Sequence, residues 1–170
     1  MKLIPISINS SYFNDMLNLY RLLHGSDPLD MQKQFKRHLG YPGFEGYFAV
    51  SGNKLAGFIY GYTSRDGQYY HDLLAKHLKR EEMWLKDCLE LAELGVHPHY
   101  RREGIAKTLT AQLLENRKES TALLTVRKDN AGAILFYKKL NWQVIKDGFF
   151  PNTPYEYIIM GKKFQKGRVN

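Results

Sequence analysis

The sequence carries a single cysteine in 170 residues, Cys88, so no internal disulfide can form. That scarcity fits a reducing compartment, and the thiol reads most simply as a small buried hydrophobe. No stretch approaches the ~18 consecutive apolar residues of a membrane span. The opening MKLIPISINSSYFND has one lysine but no sustained apolar core and no small-residue cleavage site, so it does not read as a signal peptide. These absences predict a soluble, cytoplasmic protein. Internal repeats, linkers and low-complexity runs are also missing, and the length favours one domain over residues 1–170. At 44% hydrophobic and 14% aromatic, the chain can bury a substantial core, which excludes disorder.

What is present in excess is positive charge: 25 Lys and Arg against 17 Asp and Glu, a formal net charge of +8. Such a balance suggests an anionic partner: nucleic acid, a membrane surface or a phosphorylated cofactor. The cations are scattered, apart from the C-terminal KKFQKGRVN, which reads as a solvated, frayed end. With no contiguous basic face and no known binding motif, a nucleic-acid-binding domain ranks last among the readings.

Periodicity orders the chain. Lys2 to Ile8 reads as a strand, and Tyr12 to Leu23 as a helix capped by Asn9 or Ser10 and ended by Gly25. A second helix runs from Pro28 to Leu39. Tyr47 to Val50 and Leu55 to Tyr62 form a hairpin. A polar helical excursion, Arg65 to Asp87, comes next. It reads as a solvated amphipathic helix, or as a lid over an acceptor. Beyond it lie strand Leu89 to Val96, helix Gly104 to Glu115, strand Ala122 to Val126 and helix Asn130 to Leu140. Strands Trp142 to Ile145 and Tyr155 to Met160 close the chain. Hairpins mixed with helix crossovers predict an α/β (α+β mixed-sheet) fold.

The stretch HPHYRREGIAKTL, His97 to Leu109, holds the densest chemistry. It falls short of a phosphate-binding loop of the Gly-x-x-x-x-Gly-Lys-Thr type, because Arg101 and Ala106 stand at the two glycine positions. The underlying physics survives. A strand ends at Val96, a short turn follows, and a helix opens at Gly104 with first-turn N–H groups lacking internal partners. Arg101 and Arg102 add charge-assisted donors suited to phosphate. The plain alternative is an ordinary basic turn opening an amphipathic helix. His97 and His99 gather no third ligand and read as turn residues, so no metal is expected.

The stretch LAELGVHPHYRREGIAKTLTAQLL resembles the pyrophosphate-binding motif of the GNAT N-acetyltransferase superfamily, Arg/Gln-x-x-Gly-x-Gly/Ala after a strand ending in Val-x-Pro. Arg101, Gly104 and Ala106 fill its fixed places. LLTVRKDNAGAILFYKKLNWQV resembles the family's next block, with Asn130, Phe136 and Tyr137 matching. There are two departures: Arg102 sits where glycine is common, and Leu140-Asn141-Trp142 replaces the usual Leu-Gly-Phe. The resemblance covers about residues 89–144 and implies a central, mixed, mostly antiparallel sheet of about seven strands flanked by helices.

The same resemblance implies acetyl-CoA as donor and an amine as acceptor, with dimers common. It assigns cofactor contacts to Leu94, Gly95 and Val96, whose backbone would bind the pantetheine arm in a splayed strand pair. Further contacts fall to Arg101, Arg102, Glu103, Gly104, Ile105, Ala106 and Lys107, and to Asn130, Phe136 and Tyr137. Tyr137 would protonate the leaving thiolate, since both have pKa values near ~10. The plain alternative is a core tyrosine. The base is open between Glu93, Glu90 and a water relay. Glu93 is preferred because it adjoins the implied splay, and either glutamate could instead be a structural ion pair. Ribosomal-protein alanine acetyltransferases carry glutamate in the strand before the Asn-helix; Thr125 stands there here, which weakens a protein N-terminal acceptor. A non-catalytic CoA-binding sensor of the same fold is the second reading.

Overall fold

The structure is a computed structural model and describes residues 1–164. Five α-helices and seven strands run in the order β1 (Lys2–Pro5), α1 (Tyr12–His24), α2 (Pro28–Leu39), β2 (Glu45–Ser51), β3 (Lys54–Ser64), α3 (Tyr69–Leu78), β4 (Cys88–Val96), α4 (Ile105–Leu114), β5 (Thr121–Arg127), α5 (Ala131–Lys139), β6 (Gln143–Phe149) and β7 (Tyr157–Lys163). The sheet order is β1-β2-β3-β4-β5-β7-β6, mostly antiparallel, with β4 and β5 parallel. This is the mixed sheet expected. Among the described residues no helix is long and apolar enough to cross a membrane.

The chain forms two compact units, one of residues 1–62 and 91–117, the other of 63–90 and the segment from 118 onward. In the first, α1 buries Phe13, Met16, Leu17 and Leu19 and stops at Gly25, which turns left-handed at φ 69°. Its entry differs from expectation: the cap position is Ser11, and the Ser10 hydroxyl accepts from Tyr12 N instead. Asp27 caps α2 through Leu29 N, with Pro28 in the first turn. The β2–β3 hairpin closes on Gly52 and Asn53, both at positive φ, which matches the twist of the strands. The core is aromatic: Phe13, Phe35, Phe48, Phe58, Tyr60 and Tyr62 pack with Met16 and Met31. On α4, Ile105, Leu109 and Leu113 are buried at a spacing of four, as the sequence predicts.

The second unit is mainly aliphatic at heart, with Leu74, Leu78, Leu85, Cys88, Leu123, Phe149 and Ile159 in one cluster. Burial pushes the Cys88 thiol up to about 12, so it is inert. The excursion is α3 followed by a 3-10 turn, Lys79–Leu85, and α3 is amphipathic as expected, with Tyr69, Asp72 and Lys76 exposed and His71, Leu74 and Leu78 buried. Leu74 and Leu78 enter the core, and Tyr70 Oη lies 2.6 Å from Thr125 Oγ1 on β5. Lys162 and Lys163, expected to be frayed, extend β7. Lys163 pairs with Thr121, and Lys162 Nζ donates to Leu140 O at 2.6 Å. The remainder of that basic tail, 165–170, lies outside the described residues.

Candidate functional site

Strand β4 carries the first group of candidates. Its ladder with β5 has three rungs and ends at Glu90↔Leu123, while β4 continues to Val96. On the other side, His97 N donates to Ala56 O of β3 at 2.8 Å. Glycine is required twice here. A Cβ on Gly95 would meet the Phe58 ring at 2.8 Å and Leu23 at 2.9 Å, and one on Gly57 would meet the Gly95 carbonyl oxygen at 2.7 Å. The close approach that Gly95 permits is thus to α1 and β3 of its own unit.

The turn after β4 is shaped by backbone. Pro98–Tyr100 is a 3-10 turn, with His97 Nδ1 accepting from His99 N at 3.1 Å. Arg102 at φ 65° and Gly104 at φ 77° both lie in the left-handed region. Glycine adopts that region freely, whereas an arginine there is strained by about 1–2 kcal/mol. The family's preferred glycine at the Arg102 position therefore has a backbone reason that this chain forgoes. Gly104 needs its freedom for φ alone, since the space beside it is open. Arg101, Arg102, Glu103, Gly104 and Lys107 are exposed, Ala106 is half-buried and Ile105 buried. Gly104 supplies no side-chain cap, so the Ile105, Ala106 and Lys107 N–H groups have no acceptor within α4.

The two glutamates differ. Glu90 is buried, at 5% exposure, on the last rung of the β4–β5 ladder. Glu93 is half-buried in the first unit and accepts from Gln34 Nε2 on α2 at 3.3 Å. Sequence reasoning did not single out Gln34, because nothing in helical spacing marks a polar residue as aimed at a distant strand. An open cleft of about 310 Å³ lies between α1 and the β2–β3 turn and reaches His97, but none of the candidate site residues lines it.

In the second unit Asn130 opens α5 with its own side chain, Oδ1 accepting from Ala133 N at 3.1 Å. Phe136 is half-buried and Tyr137 buried, their rings edge-to-face at 5.1 Å; Tyr137 meets Trp142 likewise at 5.7 Å. Asn141 lies at φ 67°, so the departure from Leu-Gly-Phe puts the non-glycine residue best suited to left-handed backbone where glycine is usual. Away from both blocks, Asp66, His71 and Asp72 bring three possible ligand atoms within 4.8 Å of one another, a grouping the sequence did not reveal. Its bonds are those of a turn entering α3: His71 bridges Ser64 and Asp66, and Asp72 accepts from Gly67 N.

A family profile described as acetyltransferase (GNAT) family matches residues 12–142, and the chain belongs to that family. Its fold recurs in solved structures at low identity. The ribosomal-protein-S18-alanine N-acetyltransferase of Escherichia coli aligns with TM-score 0.66 and 20% identity over 99% of this chain and 98% of its own. An aminoglycoside 6'-N-acetyltransferase complexed with coenzyme A gives 0.71 and 16% over 98% and 99%. NAA60 of Arabidopsis thaliana with a bisubstrate analogue gives 0.69 and 16% over 98% and 100%. No curated protein matches the chain by sequence.

Proposed function

We propose that this protein is an acetyl-CoA-dependent N-acetyltransferase acting on a primary amine by direct attack. The observation that carries the reading is the turn between Val96 and Lys107. It combines an uncapped helix start, two left-handed residues and exposed arginines within a family whose members include coenzyme A-bound structures. In this reading Arg101, Arg102 and the backbone of Glu103 to Lys107 hold the diphosphate. Leu94, Gly95 and Val96 bind the pantetheine arm, a role supported by a ladder that stops at Glu90↔Leu123. Asn130 and Phe136 complete the cofactor contacts.

Glu93 takes a proton from the acceptor ammonium. The neutral nitrogen attacks the thioester carbonyl carbon, and the C–S bond breaks as the N–C bond forms. Tyr137 gives its proton to the departing sulfur and recovers one from the new amide nitrogen, leaving an amide and free thiol. The half-buried Glu93, held by Gln34, supports its choice over the buried Glu90. A family profile running from 12 to 142 supports one domain, and a lone inert thiol suits a reducing cytoplasm. Calorimetry with acetyl-CoA followed by thiol release across an amine panel tests the reading. Micromolar binding and turnover with at least one amine are expected, and no heat of binding at high protein concentration overturns it.

A further inference from the structure

Helix α2 is locked in place by its apolar stripe. Met31, Phe35 and His38 are buried at spacings of four and three. Phe35 meets Phe44 and Tyr60 edge-on at 5.6 and 5.4 Å, and His38 Nδ1 lies 2.9 Å from Tyr60 Oη on β3. Gln34 flanks this stripe, half-buried. A long side chain ordered there loses up to ~2 kcal/mol of rotamer entropy, so it needs a partner to hold one conformation. That partner is 59 residues away: Nε2 donates to Glu93 Oε1 at 3.3 Å.

We propose that Gln34 is a positioning residue for Glu93, holding the carboxylate in one orientation and favouring its ionised form. The role rests on the reading of Glu93 as the group that deprotonates the acceptor. An amide suits that task. Its NH₂ donates to the carboxylate, and its carbonyl can accept from the protonated acid, so it serves both states of a group that must gain and lose a proton. A lysine there would depress the carboxyl further and weaken it as a base, and a second carboxylate would raise it. The titratable or charged groups on α2 are Asp30, Lys33, Lys36, Arg37 and His38; α1 carries Tyr12, Asp15, Tyr20, Arg21 and His24, β3 carries Lys54, Tyr60 and Tyr62, and β4 carries Cys88 and Glu90 besides Glu93. Of these, His38 is kept neutral by burial, with a pKa lowered to about 4, and the exposed Lys33 and Arg37 point to solvent.

The test compares wild type, Gln34→Leu and Gln34→Glu, using the amine giving fastest thiol release and following kcat and kcat/KM against pH. Gln34→Leu should lower kcat by about fivefold to twentyfold, leave the acetyl-CoA KM within about twofold, and move the acidic limb up by roughly half to one pH unit. Gln34→Glu keeps length and helix propensity, and should move that limb further up; it provides the readout should the leucine variant lose a cooperative melt. In a Glu93→Gln background, Gln34→Leu should have no added effect. Limbs superimposable on wild type, or a full additive loss in that background, overturn the role while leaving acetyl transfer intact. A wild type that releases no thiol with any amine overturns the broader reading, and this role with it.

Discussion

Two strand–turn–helix segments run through this protein, and they open their helices in opposite ways. After β5, Asn130 folds its side chain onto Ala133 N and closes the start of α5. After β4, the residue at the same place is Gly104, with no side chain to offer, and the exposed arginines stand before it. Glycine in place of a polar cap costs only a few tenths of a kcal/mol, so the α4 opening gives up little local stability while leaving three amides without an acceptor in the helix. The α5 start is finished by its own side chain, and the α4 start leaves its first amides without one.

The sharpest way to break that contrast is to remove chemistry without touching either opening. Tyr137→Phe keeps the ring that packs on Phe136 and Trp142, and should lower kcat on the order of 100-fold while sparing acetyl-CoA affinity and the melt. An unchanged rate removes Tyr137 from the mechanism.

Acid should distinguish the two units next. Burial, with help from the Arg37 charge, lowers the His38 pKa to about 4, below the ~6.5 of an unfolded chain. Because the unfolded state binds the proton first, the contribution is complete above pH ~6.5 and is lost as pH falls through about 4, on the order of 3 kcal/mol in all. Melting of the wild type should drop across that window, and a His38→Leu variant, though less stable, should show a flatter slope. Parallel slopes contradict a buried neutral imidazole.

Exchanging the features of the two openings gives a reciprocal test. Gly104→Val forces a branched residue to φ 77° and should weaken acetyl-CoA binding about tenfold in calorimetry. Asn130→Ala should cost about 1 kcal/mol in denaturant melts with a smaller effect on affinity. If Asn130→Ala is the variant that weakens binding more, the contrast is drawn the wrong way round. The smallest effect belongs to Arg102→Gly, which relieves a left-handed arginine and should stabilise the fold by up to about 1 kcal/mol while slightly weakening the cofactor. A loss of stability there would show the arginine side chain holding the turn.

Much of this was legible beforehand. The α1, α2 and α4 stripes follow from 3.6-residue spacing, and the hairpin turn at Gly52-Asn53 from its residue types. The amphipathic helix of the excursion was legible too, but not that its Leu74 and Leu78 would cluster with distant Leu123 and Ile159. Lys162 and Lys163 were misread because a strand partner, Thr121, outweighs a basic composition. Both points share a cause: local pattern reports propensity, while burial is set by what arrives from elsewhere in the chain.

By itself the amino-acid order determined the elements and the two motif blocks, because caps, glycines and periodic apolar residues act over a few positions. Only tertiary structure decided that Gly95 must be glycine against Phe58 and Leu23, that Arg102 is left-handed, and that Gln34 reaches Glu93. Those are contacts and dihedrals between groups far apart or mutually constrained, and no short-range rule encodes them.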